Sequence, residues 1–145
     1  HGRQADTQRL EPEERNALQR VLKRAGVGAE VNRVAAAYAL GRAVAAGRDD
    51  VALDTLINVV NQGPQATQRA AMHGLGAAGL TAVPALLRAL QEQSQAVASS
   101  AAHMNEKRTK DALRAIRHIS FALAEADQEV DSTTVHALLD SARVH

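Results

Sequence analysis

The sequence predicts an all-α protein, and three features of its composition and punctuation support that fold class. Alanine accounts for 31 of the 145 residues, whereas aromatic residues make up 1%; alanine is the best helix former and a poor strand residue. Glycine, proline and aspartate divide the chain into segments whose apolar residues recur at helical spacing. The 17 basic and 16 acidic side chains nearly balance, as expected for a single folded domain rather than a disordered chain.

Seven helices are predicted, and the first three are defined by residues that begin or end a helix. The predicted helices cover approximately residues 12–25, 31–46, 51–62, 64–79, 81–92, 106–126 and 132–144. Pro12 suits the first position of the first helix, and Lys23 suits the negative end of its dipole. Gly47 ends the second helix, Asp49 caps the third, and Gly63 ends the third.

The remaining four helices are predicted from the same kinds of signal. Pro64 opens the fourth helix and Gly79 closes it, and the fifth carries the leucine-rich pattern that follows. Glu106 lies in the first turn of the long sixth helix, where an acidic residue is favourable. Asp131 or Ser132 is expected to cap a separate seventh helix.

The order of these helices repeats along the chain. A shift of 35 residues places 35–41 on 70–76, and a shift of 30 places 53–60 on 83–90. A fainter third copy begins at Asp111, which lies 76 residues after the start of the first. Each unit consists of an alanine-rich helix, a short break and a helix rich in leucine and valine. A single pair leaves an apolar face uncovered, so neighbouring pairs are expected to stack.

This pattern resembles HEAT repeats, and most closely the short alanine-rich kind associated with phycobilisome lyases. The resemblance is carried by the leucine pattern of each second helix and by two first-helix motifs, Arg33-Val34-Ala35-Ala36-x-x-x-Leu40-Gly41 and Gln68-Arg69-Ala70-Ala71-x-x-x-Leu75-Gly76. It implies a right-handed α-α superhelix, a HEAT-like solenoid of about three helix pairs with six to seven helices.

The resemblance also implies how the single helical domain is divided. It is good over about residues 31–91 and weak after residue 106, where Arg117 stands in place of glycine. We expect an N-terminal helix or half repeat at 1–28, repeat 1 at 29–63, repeat 2 at 64–93, an insertion at 94–105 and a divergent repeat 3 at 106–145.

The sequence offers no pattern that predicts catalysis, a metal or a cofactor. Residues 74–79 spell Gly-x-Gly-x-x-Gly, but they follow a helix instead of the strand that a dinucleotide site requires. We expect Gly74 and Gly76 to allow close helix packing and Gly79 to end the helix. The chain has no cysteine, and no two of its six histidines stand four apart on one helix. We therefore expect a protein that is not an enzyme.

The second helix of each pair carries the candidate partner-binding residues. Helical repeats present an extended surface and commonly act by binding, so we expect a scaffold for protein–protein interaction. The polar residues that interrupt the leucine pattern are Asp54, Asn58, Gln62, Arg88 and Gln91. Tyr38, the sole tyrosine, is expected to serve packing or an interface, and His73 and His118 to lie on ordinary helix faces.

Two other functions remain open at this stage. The resemblance to phycobilisome-lyase proteins implies an alternative role as a HEAT-type subunit of a bilin lyase or a similar chromophore-attachment factor. A weaker alternative is binding of an anion or nucleic acid by the basic stripe of the sixth helix, Lys107, Lys110, Arg114 and Arg117. Interleaved aromatic residues on which bases would stack are missing there. The net charge of +1 also gives no general attraction for nucleic acid or anionic membranes.

The sequence also bears on self-association and on cellular location. Val135, Leu138 and Leu139 form an apolar side of the seventh helix, where a terminal repeat normally has a polar face, so we expect a homo-oligomer through this end or through the insertion. The chain begins with His1 rather than Met, so we expect a segment of a longer array or one subunit of an oligomer. No apolar run approaches the roughly 18 residues of a membrane span, and we expect a cytoplasmic protein without a membrane partner.

Overall fold

The arrangement of the helices is given by a computed structural model. Backbone is described for residues 9–24 and 29–144 and, within these ranges, side chains up to Ala126. The described part is all-α and contains no strand. Its α-helices are α1 Pro12–Lys23, α2 Glu30–Gly47, α3 Asp50–Gln62, α4 Gln65–Ala78, α5 Val83–Ala102 and α6 Glu106–Val144. A 3-10 turn, Gly79–Ala82, joins α4 to α5, so the described part consists of five helical stretches.

α5 is longer than the sequence predicts. It continues past the predicted end near Glu92 through most of the predicted insertion, because the alanines and serines of this segment are compatible with a helix. The helix stops before Met104, which has a left-handed φ of 55°. The hydroxyl groups of Ser100 in α5 and Thr109 in α6 are hydrogen bonded at 2.7 Å, and this contact fixes the turn between the two helices.

The predicted sixth and seventh helices form one continuous helix, α6. The predicted break before Asp131 or Ser132 is therefore wrong. Neither glycine nor proline occurs between residues 106 and 144, and without such a residue a capping side chain does not by itself end a helix. The apolar side predicted for self-association, at Val135, Leu138 and Leu139, lies outside the side chains that the structure describes.

Asp49 caps α3 as the sequence predicts, and it also ties α3 to α1. Its Oδ1 accepts a hydrogen bond from the backbone N–H of Ala52 at 3.1 Å. Its Oδ2 accepts one from Nε of Arg15 at 3.0 Å, which makes an ion pair between two largely buried side chains. A single carboxylate thus satisfies an orphan donor at the helix start and holds the neighbouring helix.

The alanine-rich helices lie next to one another. α2 packs more extensively against α4 than against any other element, and α4 in turn packs against α6. α1 packs against α2, α3 packs against α4, and α5 packs against α6. α4 therefore lies between α2 and α6, and its side chains can contact residues of both helices.

α2 and α4 approach so closely that their backbones touch at glycine. A Cβ on Gly41 would fall on the carbonyl oxygen of Gly74, and a Cβ on Gly74 would lie 2.5 Å from the carbonyl oxygen of Ala37. Only the absence of a side chain allows this approach. Gly79, with φ 65° and ψ −142°, ends α4. The expected roles of Gly74 in close packing and of Gly79 in helix termination are confirmed.

The hydrophobic core is built from a few large side chains among many alanines. Each α-helix contributes one fully buried leucine or isoleucine within the described residues: Leu22, Leu40, Leu56, Leu75, Leu86 and Ile119. Val44 and Val60 are also fully buried, and most other core positions are alanine. Each of these larger side chains therefore fills a space between the helices that the short alanine side chains around it cannot fill.

Among the described residues, one helical stretch meets the length and hydropathy requirements of a membrane span, although the sequence has no uninterrupted apolar run of that length. It is Gln65–Ala102, in which an 18-residue window has a mean hydropathy of 1.4. Inside the protein, 61% of that window is buried. Burial of this kind is typical of a helix in the core of a soluble protein, and it gives the stretch a role in packing.

Candidate binding surface

The five residues predicted to bind a partner lie on α3 and α5. All five side chains are exposed: Asp54, Asn58, Gln62, Arg88 and Gln91. The two helices are neighbours, because Nε2 of Gln93 in α5 donates a hydrogen bond to Oδ1 of Asn61 in α3 at 3.1 Å. We call these five residues the second-helix face. It is a polar surface spread over two adjacent helices, without a hydrogen bond or ion pair among its members.

A second surface, which the sequence does not predict, collects the aromatic rings. The chain has one tyrosine, one phenylalanine and no tryptophan, and both rings contact His73. Tyr38 of α2 stacks on His73 of α4, with ring centroids 6.1 Å apart and an interplanar angle of 23°. Phe121 of α6 meets the same imidazole at 5.7 Å in an edge-to-face geometry of 85°. We call Tyr38, His73 and Phe121 the aromatic row.

The aromatic row faces solvent even though its rings contact one another. Tyr38 is 37% exposed and Phe121 is 45% exposed. Each ring comes from a different helix, and contacts of this type contribute about 0.5–1.5 kcal/mol beyond the area they bury. The row is therefore an ordered apolar strip that crosses three helices at the surface.

Glu125 of α6 lies beside the aromatic row. Its Oε1 is 3.7 Å from Nδ1 of His73, which is too long for a hydrogen bond, so the attraction depends on protonation of His73. The space for its carboxylate comes from Gly76, since a Cβ there would collide with the Glu125 side chain. Within the described residues, no three His, Asp or Glu side chains lie close enough together to hold a metal ion.

His118 connects α6 to α4 about one helical turn before Phe121. Its Nδ1 lies 3.3 Å from Sδ of Met72. Burial lowers the pKa of His118 from the ordinary value of 6.5, and the positive charges of Arg117, Arg69 and Arg114 lower it further. Desolvation and nearby like charges both disfavour the protonated imidazole, so the folded protein favours the neutral form.

Three arginines lie around His118, and we call Arg69, Arg114 and Arg117 the cationic cluster. On a helix, residues three or four apart are neighbours. Arg69 precedes Met72 by three residues on α4, and Arg114 precedes His118 by four on α6. Both arginines therefore lie one turn before the contact between Met72 and His118. Arg117 precedes Phe121 by four residues. The cationic cluster therefore borders the aromatic row along the line where α4 meets α6.

The cationic cluster contains half of the predicted basic stripe. Lys107 and Lys110 are exposed near the start of α6, and Lys110 lines a surface pocket with Met104 at the turn from α5. Arg69 belongs to α4 and not to the helix that carries the basic stripe, so the stripe does not predict it. Its position four residues before His73, on the same side of α4, is a sequence signal that points to it.

The free energy of unfolding is expected to fall as the pH drops below about 6.5, partly because of His118. The unfolded chain takes up a proton near the ordinary pKa, whereas the folded protein resists protonation to a lower pH, so protons favour unfolding in this range. Replacement of His118→Gln removes this contribution and should flatten the pH dependence. Urea unfolding of both proteins above and below pH 6.5 measures the difference. An identical pH dependence for the two proteins would contradict the prediction.

Comparison with known proteins gives no match to a family model, to a curated protein or to a solved structure. The likeness to HEAT repeats rests on the alanine, leucine and glycine positions of residues 31–91. Function is therefore inferred from the geometry of the two surfaces.

Proposed function

We propose that this chain is a non-enzymatic protein-binding scaffold made of HEAT-like helix pairs stacked as a right-handed solenoid. Two features of the packing support the stacking. The alanine-rich helices α2, α4 and α6 contact one another in succession, as equivalent helices of adjacent repeats do. The leucine-rich helices α3 and α5 are likewise neighbours, joined by the hydrogen bond between Asn61 and Gln93.

The aromatic row is the observation that carries the binding role. Tyrosine, phenylalanine and arginine are enriched in protein interfaces, and a few aromatic anchors usually supply most of the binding energy. Here the only tyrosine and the only phenylalanine of the chain meet at a solvent-facing strip. Their contacts with His73 restrict both rings before a partner arrives, which reduces the entropy lost on binding. We assign the main contact to this row and a peripheral contact to the second-helix face.

The double substitution Tyr38→Ala and Phe121→Ala is expected to weaken partner binding at least about tenfold. The protein that the wild-type chain captures most strongly is the candidate partner. The candidate is then purified and titrated against both chains by calorimetry. Because both rings are partly exposed, the double variant should remain folded, and thermal unfolding followed by circular dichroism checks this.

The triple substitution Asp54→Ala, Asn58→Ala and Arg88→Ala is the matched comparison on the second-helix face. It should change the dissociation constant by no more than about threefold, since polar side chains at an interface rim contribute little. A larger loss in the triple than in the double variant would move the main contact to the second-helix face. Wild-type affinity in both variants would contradict the binding role of the two surfaces.

A further inference from the structure

The charges next to the aromatic row are arranged unevenly. Within the described part of the chain, Arg69 and Arg117 form no ion pair, and Arg114 has only a 3.4 Å contact with the exposed carboxylate of Asp111. Exposed pairs of that kind are weak. Within the described residues the cationic cluster therefore carries three guanidinium ions against the single carboxylate of Asp111, and guanidinium groups match a carboxylate in a two-pronged hydrogen-bonding geometry.

The cationic cluster and the aromatic row follow one another along α4 and α6. The contact between Met72 and His118 comes first, the contact between His73 and Phe121 follows, and Gly76 meets Glu125 last. Arg69 and Arg114 lie one turn before the first of these contacts, and Arg117 lies one turn before Phe121, so the surface is positive at one end, aromatic in the middle and acidic at the other end. One helical turn spans about 5.4 Å, which sets the distance between the cationic and aromatic parts.

The geometry points to an acidic segment of a partner protein as the occupant of this surface. The segment places a carboxylate on the cationic cluster and an apolar side chain on the aromatic row. Two residues of an extended chain span about 6.6 Å, and one turn of a helix spans about 5.4 Å. A glutamate two residues before a phenylalanine in an extended segment, or four before it in a helix, therefore reaches both parts. This inference rests on the proposed binding role and adds the chemistry of the partner.

A nucleic acid suits the same surface less well. Its phosphates would pass along the row toward the carboxylate of Glu125, which lies beside His73. Bases bind by stacking on free ring faces, whereas Tyr38 already turns a face toward His73. The chain as a whole has a net charge of +1, which supplies little long-range attraction for a polyanion. A peptide needs only one localised negative charge at the cationic end.

Calorimetric titration of the full chain with a synthetic peptide tests this inference. The probe is a short peptide in which glutamates precede a single phenylalanine, compared with a version carrying lysines in place of the glutamates and a version carrying alanine in place of the phenylalanine. We expect the first peptide to bind more tightly than either control, and its affinity to fall as salt is added. Equal binding of the lysine version would overturn the inference, as would tighter binding of single-stranded oligothymidylate.

Substitutions on the protein locate the site. The double substitution Arg69→Ala and Arg117→Ala is expected to weaken peptide binding about fivefold to tenfold. Arg20→Ala is the matched control, since Arg20 is an exposed arginine on α1, and it should leave the affinity unchanged. Equal affinities in all three proteins would overturn the inference. Loss of the native partner in the aromatic variants, without any binding of the acidic peptide, would likewise overturn it while leaving the proposed function in place.

Discussion

The substitution Gly41→Ala is expected to lower the free energy of unfolding by about 2 kcal/mol. The added Cβ would fall on the carbonyl oxygen of Gly74, and a backbone atom has no alternative rotamer by which to move aside. Overpacking at such a contact costs about 3 kcal/mol, whereas alanine gains about 1 kcal/mol over glycine in a helix. Urea unfolding followed by circular dichroism measures the net loss.

Gly47→Ala is the matched control, because Gly47 lies in the last turn of the same helix. The nearest atom to a Cβ there is Cγ of Arg9 at 3.3 Å, which belongs to an exposed and flexible side chain. We expect this variant to be as stable as the wild type or more stable by up to about 1 kcal/mol. Wild-type stability in both variants would show that α2 and α4 do not meet in backbone contact at Gly41.

The substitution Leu86→Ala is expected to lower the free energy of unfolding by about 3 kcal/mol. Leu86 is 0% exposed and is the one fully buried leucine that α5 contributes to the core. Much of the surrounding core is alanine, and alanine has no side-chain rotamers with which to close the cavity. The large cost expected for a poorly collapsing cavity therefore applies.

Leu87→Ala gives the control for this prediction at the adjacent position of the same helix. Leu87 is 52% exposed, so its truncation should change the free energy of unfolding by about 0.5 kcal/mol or less. The same denaturant titration serves both variants. A loss at Leu87 as large as that at Leu86 would mean that the exposed side of α5 is covered by another chain in solution.

The sequence was most informative where a special residue marks a helix end. Asp49 accepts the backbone hydrogen bond expected of a cap, and Gly79 adopts the positive φ that ends α4. It was misleading at Asp131 and Ser132, because a side chain suited to capping is also tolerated inside a helix when no glycine or proline breaks the chain. Local chemistry therefore predicted the ends of the shorter helices and failed in the long one.

The aromatic row shows why the candidate site was only partly predictable. The 35-residue shift carries Tyr38 onto His73, and the structure stacks these equivalent positions. The 76-residue shift carries Tyr38 onto Arg114 instead of Phe121. The repeat therefore does not predict that Phe121 belongs to the aromatic row. The register of α6 against α4 is set by packing, including the room that Gly76 leaves for Glu125. Periodicity in the sequence does not contain that information.

The stacking of Tyr38 on His73 also gives the molecule a built-in optical signal. Tryptophan is absent and Tyr38 is the sole tyrosine, so the ultraviolet emission of the chain comes almost entirely from one ring. That ring is stacked on the His73 imidazole, with the centroids 6.1 Å apart, and its emission should respond to a ligand that covers it. An unlabelled, unmodified chain therefore reports the occupancy of its own surface.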